Sequence, residues 1–232
     1  MPTRKEPVLV VDDDARMLRM MQMILETEGF QVLMASNGEA ALKVLIEQNP
    51  DLVLLDIMMP VMDGYTLCSR IREFSQIPII MVTAKGNIEE IARGLNSGAD
   101  DYVTKPFSSK VLIARVKAVL RRAKVWDKHP EPTFQSGDLM VDFASHQVNL
   151  AGKQIELTAT EYRLLSYLIH NAGRLVTSDQ ILEAVWGEEY VGEHLLLRVN
   201  IARLRHKLGD DAKEPRFIFS RIGIGYMFIK SS

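Results

Sequence analysis

The chain has 232 residues, of which 47% are hydrophobic and 25% charged, and its net charge is -2. This composition is typical of a soluble globular protein and excludes a disordered or fibrous one, while the small net charge indicates no particular partner. No apolar run approaches the roughly 20 residues of a membrane helix, and the N-terminus MPTRKEP lacks the apolar stretch of a signal peptide. We therefore expect a cytoplasmic protein without a membrane partner.

Short apolar runs alternate with helical patterns in the first half of the chain. The runs are VLVV, QVLMA, DLVLL, PIIMV and DYVT. The helices predicted after them cover about Ala15–Glu28, Gly38–Gln48, Gly64–Phe74, Asn87–Ser97 and Ser108–Arg122. Five strands alternating with five helices predict a parallel sheet covered on both faces, so the first domain is assigned to residues 1–122.

The second half follows a different pattern. Residues 123–136 include AKVWDKHPEPTFQ, with two prolines and no periodicity, and are predicted to be a linker. Strand candidates DLMVD, HQVNL and KQIEL follow, then helices over about Thr160–Asn171, Ser178–Trp186 and Glu193–Leu208. The hairpin RFIFSRIGIGYMFI ends a small α+β domain assigned to residues 137–232.

Polar residues stand at the ends of four strands of the predicted parallel sheet. Asp12 and Asp13 follow the first strand, Asp56 the third, Thr83 the fourth and Lys105 the fifth. Because parallel strands deliver their carboxyl ends to one edge, we expect these side chains to converge. Three carboxylates at one edge need a cation, and hard oxygen ligands favour Mg²⁺.

A carboxylate beside Mg²⁺ is suited to attack phosphorus. Asp56 is the predicted phosphoryl acceptor, and Asp12 and Asp13 are the predicted metal ligands. Thr83 and Lys105 would hold the phosphoryl oxygens. The alternative is that each Asp only caps a following helix, which suits Asp13 or Asp14 but leaves the other strand ends unexplained.

Residues 8–122 resemble the receiver domain of two-component response regulators through VVDDD, LLDIMMPVMDG, MVTA and GADDYVTKPF. The resemblance implies a flavodoxin-like (βα)5 fold and phosphorylation of Asp56 by a sensor histidine kinase. It adds the backbone carbonyl of Met58 to the magnesium ligands and Tyr102 to the switch residues beside Thr83 and Lys105. It also implies a cis bond between Lys105 and Pro106.

The same resemblance implies that the receiver dimerises when phosphorylated. The residues expected on the dimer face are Ile91, Arg93, Leu95, Asp100, Asp101, Val111 and Arg115. The family uses an Asp101–Arg115 pairing there, whereas Ile91 and Val111 replace a common salt bridge and predict a partly apolar contact. The alternative is that both are core residues.

The segment HLLLRVNIARLRHKL predicts a basic amphipathic helix with a buried stripe of Leu197, Ile201, Leu204 and Leu208. Such a helix is a candidate to contact the DNA major groove. The predicted DNA-contact residues on it are Arg198, Val199, Asn200, Arg203, Arg205, His206 and Lys207, with Arg221 in the hairpin. The alternative is a solvated charged face.

Residues 137–230 resemble the winged-helix domain of the OmpR/PhoB class through LTATEYRLLSYLIHNAGRLVT, ILEAVWG, RLRHKLGDD, PRFI and GIGYMF. The resemblance implies binding to double-stranded promoter DNA and an RNA polymerase partner. The EH...LR pattern and GIGY ending resemble regulators of potassium-transport operons. Residues 195–198 read Leu-Leu-Leu-Arg, where many relatives have Arg-Thr-Val-Asp. In the hairpin, Ile222 occupies the position at which relatives usually carry an arginine.

Two rival functions share parts of this pattern. A phosphatase with an aspartyl-phosphate intermediate usually carries a second Asp two residues after its nucleophile, where this chain has Met58. A receiver-controlled domain that binds protein instead of DNA is the other rival, and Arg203→Ala separates it from a DNA-binding domain. We therefore predict a transcription regulator without enzymatic activity beyond its own phosphorylation and dephosphorylation.

Overall fold

The computed structural model describes residues 6–84, 88–124 and 132–230. The chain divides between Arg121 and Arg122 into two compact units. Within the described ranges, no helix combines the length and apolar character that crossing a membrane requires.

The first unit is a five-stranded parallel sheet in the order β2-β1-β3-β4-β5. Its strands are β1 (Pro7–Val11), β2 (Gln31–Ala35), β3 (Leu52–Asp56), β4 (Ile79–Thr83) and β5 (Asp101–Thr104). Its helices are α1 (Ala15–Thr27), α2 (Gly38–Gln48), α3 (Gly64–Arg72), α4 (Ile88–Asn96) and α5 (Ser109–Lys124). The predicted doubly wound sheet is confirmed.

Strand side chains alternate between two cores, one on each face of this sheet. Val8 and Val10 pack with residues of α1 and α5, whereas Leu9 and Val11 pack with residues of α2 and α3. Because both faces are buried, β1, β3 and β4 are continuous apolar runs and not alternating ones. The carboxyl ends of these buried strands are the positions where polar residues begin.

Within residues 132–230, the second unit contains two antiparallel sheets and three helices. The four-stranded sheet is β6 (Thr133–Ser136), β7 (Leu139–Asp142), β8 (Gln147–Leu150) and β9 (Lys153–Gln154). The helices are α6 (Ala159–His170), α7 (Ser178–Val185) and α8 (His194–Leu208), with a 3-10 helix at Glu188–Tyr190. The three-stranded sheet is β10 (Val176–Thr177), β12 (Gly225–Phe228) and β11 (Ile218–Arg221), in that spatial order.

The structure differs from the sequence prediction around the linker. Residues 133–136, which were predicted to be linker, form β6 and pair with β7. Phe134 and Ser136 turn inward, but the run is too short for its periodicity to be visible in the sequence. The helix α5 continues to Lys124, and residues 125–131 of the predicted linker lie outside the described residues. The strand β10 was also missed, since two residues carry no alternating pattern.

Candidate functional site

An acidic pocket lies at the carboxyl edge of the parallel sheet. Carboxylate oxygens of Asp12, Asp13 and Asp56 lie within 4.8 Å of one another. The Lys105 ammonium lies 2.8 Å from Oδ2 of Asp12 and 2.6 Å from Oδ1 of Asp56. The predicted convergence of these four side chains is therefore confirmed.

The pocket holds more negative than positive charge. Burial raises the pKa of Asp56 above its usual range, although the Lys105 ammonium acts against this. Burial acts to lower the pKa of Lys105, but its hydrogen bonds to Asp12 and Asp56 outweigh burial and the pKa is raised. Among the described residues of the pocket, three carboxylates face this one ammonium, so a further cation fits the donor set.

The three consecutive acids Asp12, Asp13 and Asp14 have different surroundings. Asp12 is buried and accepts the backbone N–H of Asp14 at 2.9 Å. Asp14 is the N-cap of α1 and accepts the N–H of Arg16 at 2.8 Å. Capping therefore explains Asp14, while exposed Asp13 and buried Asp12 face the pocket.

The loop after Asp56 is shaped by close backbone contact. The N–H of Met58 donates to Oδ2 of Asp56 at 2.9 Å, which fixes the carboxylate orientation. A methyl group at Gly64 would overlap the carbonyl oxygen of Asp56 and lie 2.8 Å from Cα of Ile57. Only glycine lets the start of α3 pack this closely against the end of β3.

The predicted switch residues flank the pocket on β4 and β5. Thr83 is buried at the last position of β4, and its neighbour in the sheet is Thr104 of β5. The ring of Tyr102 is partly buried, and its centroid lies 5.9 Å from the guanidinium carbon of Arg115. The Lys105–Pro106 bond is cis, as predicted.

Four of the seven residues predicted for the dimer face are buried within the receiver itself: Ile91, Leu95, Asp100 and Asp101. Ile91 is only 7% exposed, and Leu95 and Asp101 are fully buried. Asp100 is also buried, and its carboxylate accepts hydrogen bonds from Arg72 and from the N–H of Ile79, which offset the cost of burying it.

The remaining dimer-face residues lie at or near the surface. Arg115 contacts Asp101 of the same chain at 3.3 Å. Arg93 is exposed and packs 4.2 Å from the centroid of the Tyr65 ring. Val111 of α5 is exposed, and the exposed large apolar residue of α4 is Ile88 instead of Ile91.

In the second unit, α8 buries a wider face than predicted. The predicted stripe of Leu197, Ile201, Leu204 and Leu208 is buried. Val199 and Asn200 are also buried, at 7% and 0% exposure, so the prediction that they contact DNA is wrong. Both turn inward because α8 packs against α6 and α7 together, and two neighbours cover more of the helix than one.

Three basic side chains predicted to contact DNA are engaged inside the domain. Arg203 and Lys207 lie 2.8 and 2.6 Å from the buried carboxylate of Glu161 on α6. Arg205 donates to the carbonyl of Ile218 and to the hydroxyl of Ser220 on β11. These cations position α8 against α6 and β11.

The exposed side of α8 carries residues four apart in the sequence: His194, Arg198, Ala202 and His206. We call these four residues the exposed stripe. Arg198 and His194 line a cleft with Arg221 and Tyr226 of the β11–β12 hairpin. Sequence reasoning missed His194, although counting back in steps of four from Arg198 would have found it.

Both units match known families. Residues 8–117 match the response regulator receiver domain, and residues 152–228 match the C-terminal domain of transcriptional regulatory proteins. The chain therefore belongs to the response regulators of the OmpR/PhoB class. It is a DNA-binding transcription regulator of a two-component system.

Relatives match over nearly the full length. The DNA-binding response regulator MtrA of Mycolicibacterium smegmatis is 40% identical, over 97% of this chain and 98% of that protein. The probable transcriptional regulator ycf27 of Pyropia yezoensis is 43% identical, over 98% of this chain and 96% of that protein. Among solved structures, the response regulator DrrB of Thermotoga maritima, an OmpR/PhoB homologue, is 36% identical. The match covers 97% of this chain and 99% of that chain, with a TM-score of 0.53. The resemblance to potassium-transport regulators stays a prediction.

Proposed function

We propose that Asp56 accepts a phosphoryl group from the phosphohistidine of a sensor histidine kinase. The observation that carries this is the Asp56 carboxylate, held by Lys105 within a cluster of three acids. Asp12, Asp13, Asp56 and the carbonyl of Met58 would hold Mg²⁺, because hard carboxylate and carbonyl oxygens suit that ion. When bound, Mg²⁺ offsets negative charge on the attacking carboxylate and the transferred phosphoryl.

The other pocket residues act on the phosphorylated Asp56. Lys105, already in contact with Asp56, supplies a fixed cation for a phosphoryl oxygen. The buried hydroxyl of Thr83 donates to another oxygen and moves toward it. Tyr102 then turns inward, which changes the surface of α4, β5 and α5.

The receiver dimerises through that changed surface. Ile88 and Val111 are its exposed apolar side chains and are assigned to the contact with a second copy. Arg93 and Arg115 lie at the edge of this contact, while Asp101 holds Arg115 in place. Ile91 and Leu95 support the face from within.

The winged-helix unit binds promoter DNA through α8 and the hairpin. Arg198 and His206 on the exposed stripe, and Arg221 at the end of β11, are assigned to DNA contacts because their side chains are exposed. Arg203, Arg205 and Lys207 position α8. RNA polymerase is the expected partner at the promoter, and the cytoplasm is the expected location because both DNA and phosphodonor kinases act there.

The test is DNA binding by the full chain with and without Mg²⁺ and acetyl phosphate. The probe is a duplex enriched from a random pool by the phosphorylated wild type. We expect tighter binding only when both additives are present, and no gain for Asp56→Asn, which keeps the side-chain shape but cannot form the acyl phosphate. Mass spectrometry checks phosphorylation. A gain that persists in Asp56→Asn would contradict the proposal.

A further inference from the structure

An acid and a histidine meet where α7 and α8 begin. Nε2 of His194 lies 2.8 Å from Oδ1 of Asp179, and the same oxygen accepts the N–H of Gly192 at 3.1 Å. Both side chains are about half exposed. The contact therefore joins the first turns of two helices at the surface.

This pair lies in the surface assigned above to DNA. Asp179 and His194 line the cleft between α8 and the hairpin together with Arg198, Arg221 and Tyr226. Asp179 is the acidic member of that lining. A carboxylate there repels DNA phosphates unless a neighbouring positive charge cancels it.

Asp179 has a role in folding that explains an acid at this position. It lies in the first turn of α7, where a negative charge favours the helix dipole. It also accepts the Gly192 N–H just before α8. The domain thus keeps an acid beside the DNA surface, and His194 is the group placed to neutralise it.

Among the groups of the cleft, histidine is the type that titrates near neutral pH. The hydrogen bond from His194 holds the pKa of Asp179 below its usual range, so the carboxyl stays ionised. Burial raises the pKa of Tyr226, so the phenol stays neutral. The other charged side chains near His194 are Arg198 and Arg221, which line the cleft, and Glu193, its chain neighbour.

We propose that His194 is a DNA-contact residue and that its protonation, by cancelling the charge of Asp179, makes DNA binding take up a proton. The inference rests on the proposed DNA-binding role of α8. Lowering the pH protonates His194 and removes the repulsion, so affinity rises as pH falls. One proton at most is taken up, which limits the gain to about tenfold per pH unit.

The experiment uses the phosphorylated full chain and the duplex it enriches from a random pool, with dissociation constants measured at about pH 6 and pH 8. We expect the wild type to bind about three- to tenfold more tightly at the lower pH. His194→Gln should lose most of this dependence and bind at both pH values as the wild type does at the higher one. His170→Gln, at the exposed end of α6 and outside the cleft, is the matched control and should keep the dependence.

Asp179→Asn separates an electrostatic role from a structural one. The amide oxygen can still accept from Gly192 and His194, but the repelling charge is gone. We therefore expect Asp179→Asn to bind more tightly than the wild type at about pH 8. If the pair only shaped the fold, this variant would bind equally or more weakly.

The outcomes separate the two proposals. If the wild type enriches no duplex, the DNA-binding assignment fails. If it enriches one but binds it equally at both pH values, or if His170→Gln and His194→Gln behave alike, the proton-linked contact is overturned and DNA binding stands. Phosphorylation of Asp56 is quantified by mass at both pH values, so that receiver chemistry does not enter the comparison.

Discussion

Val61 has an unfavourable backbone conformation close to the phosphoacceptor. Its φ is +69°, and its side chain is fully exposed in the loop between β3 and α3. A β-branched residue in this region costs about 1–2 kcal/mol, because Cβ crowds the backbone. Its exposed side chain gains no packing that would offset the cost.

We predict that Val61→Asn raises the free energy of unfolding of the receiver by about 1 kcal/mol, since asparagine tolerates the left-handed region. Urea unfolding of the unphosphorylated chain measures this. Val61→Ile is the control, because it keeps the β-branch and should gain nothing. Equal stability of all three proteins would show that the loop relaxes without strain.

Asp13 differs from Asp12 and Asp14 in one respect: among the described residues, its carboxylate makes no hydrogen bond or ion pair. We predict that Asp13→Asn does not lower the unfolding temperature in chelator, because the loss of one of three carboxylates relieves repulsion in the pocket. The rise in that temperature on adding Mg²⁺, which follows from binding to the folded state, should be largely lost. Asp14→Asn, which alters the cap of α1, should retain the rise. An undiminished rise in Asp13→Asn would remove Asp13 from the metal ligands.

At the scale of elements, α6 and α8 are joined by a buried charge cluster. Glu161 has no exposed surface, yet it completes the capping box of α6 with Thr158 and contacts Arg203 and Lys207. Burial acts to raise the pKa of Glu161, but the two cations outweigh burial and hold it below its usual range. Glu161 thus orients the helix assigned to DNA without being exposed itself.

We predict that Glu161→Gln destabilises the winged-helix unit by about 3 kcal/mol near neutral pH, because two poorly solvated cations lose their partner. A carboxyl group whose pKa is lower in the folded than in the unfolded protein stabilises the fold at pH values above its unfolded pKa. This stabilisation is lost as the pH falls through the folded pKa. The difference between wild type and variant should therefore shrink below about pH 4. Denaturant unfolding as a function of pH measures it. Lys207→Met is the control: it leaves the Glu161–Arg203 pair in place and should lower the free energy of unfolding by less. If the difference between wild type and Glu161→Gln did not change with pH, an electrostatic origin would be contradicted.

At the scale of the whole molecule, phosphorylation is expected to act through dimerisation. We predict that the double variant Ile88→Ser and Val111→Ser still accepts the phosphoryl group but dimerises at least several-fold more weakly, because exposed apolar area on α4 and α5 is lost. Light scattering coupled to chromatography, with Mg²⁺ and acetyl phosphate, measures the dimer.

Ile46→Ser is the control for that measurement, because Ile46 is equally apolar and exposed but lies on α2. It should dimerise as the wild type does. A dimer unaffected by the double variant, with phosphorylation confirmed by mass, would place the interface elsewhere.

The sequence by itself determined the architecture of the receiver and its acidic pocket. Alternating apolar runs and helices define a parallel sheet, and a parallel sheet brings its strand ends together whatever the details of packing. The sequence therefore places Asp12, Asp56 and Lys105 at one edge, while the direct contacts of Lys105 with both carboxylates appear only in the structure. The motif glycine at position 64 was visible too, though its close approach to Asp56 was not.

Only the tertiary structure decided which side chains of the helices remain at the surface. Helical periodicity gives the spacing of a buried stripe but not its width, which depends on how many neighbours cover the helix. Two neighbours bury Val199 and Asn200 of α8, and Glu161 occupies Arg203 from a distant part of the sequence. The width of the buried stripe also decides that Ile88 and not Ile91 is exposed on α4. The contact between Asp179 and His194, 15 positions apart in the chain, likewise arises only from the packing of α7 and α8.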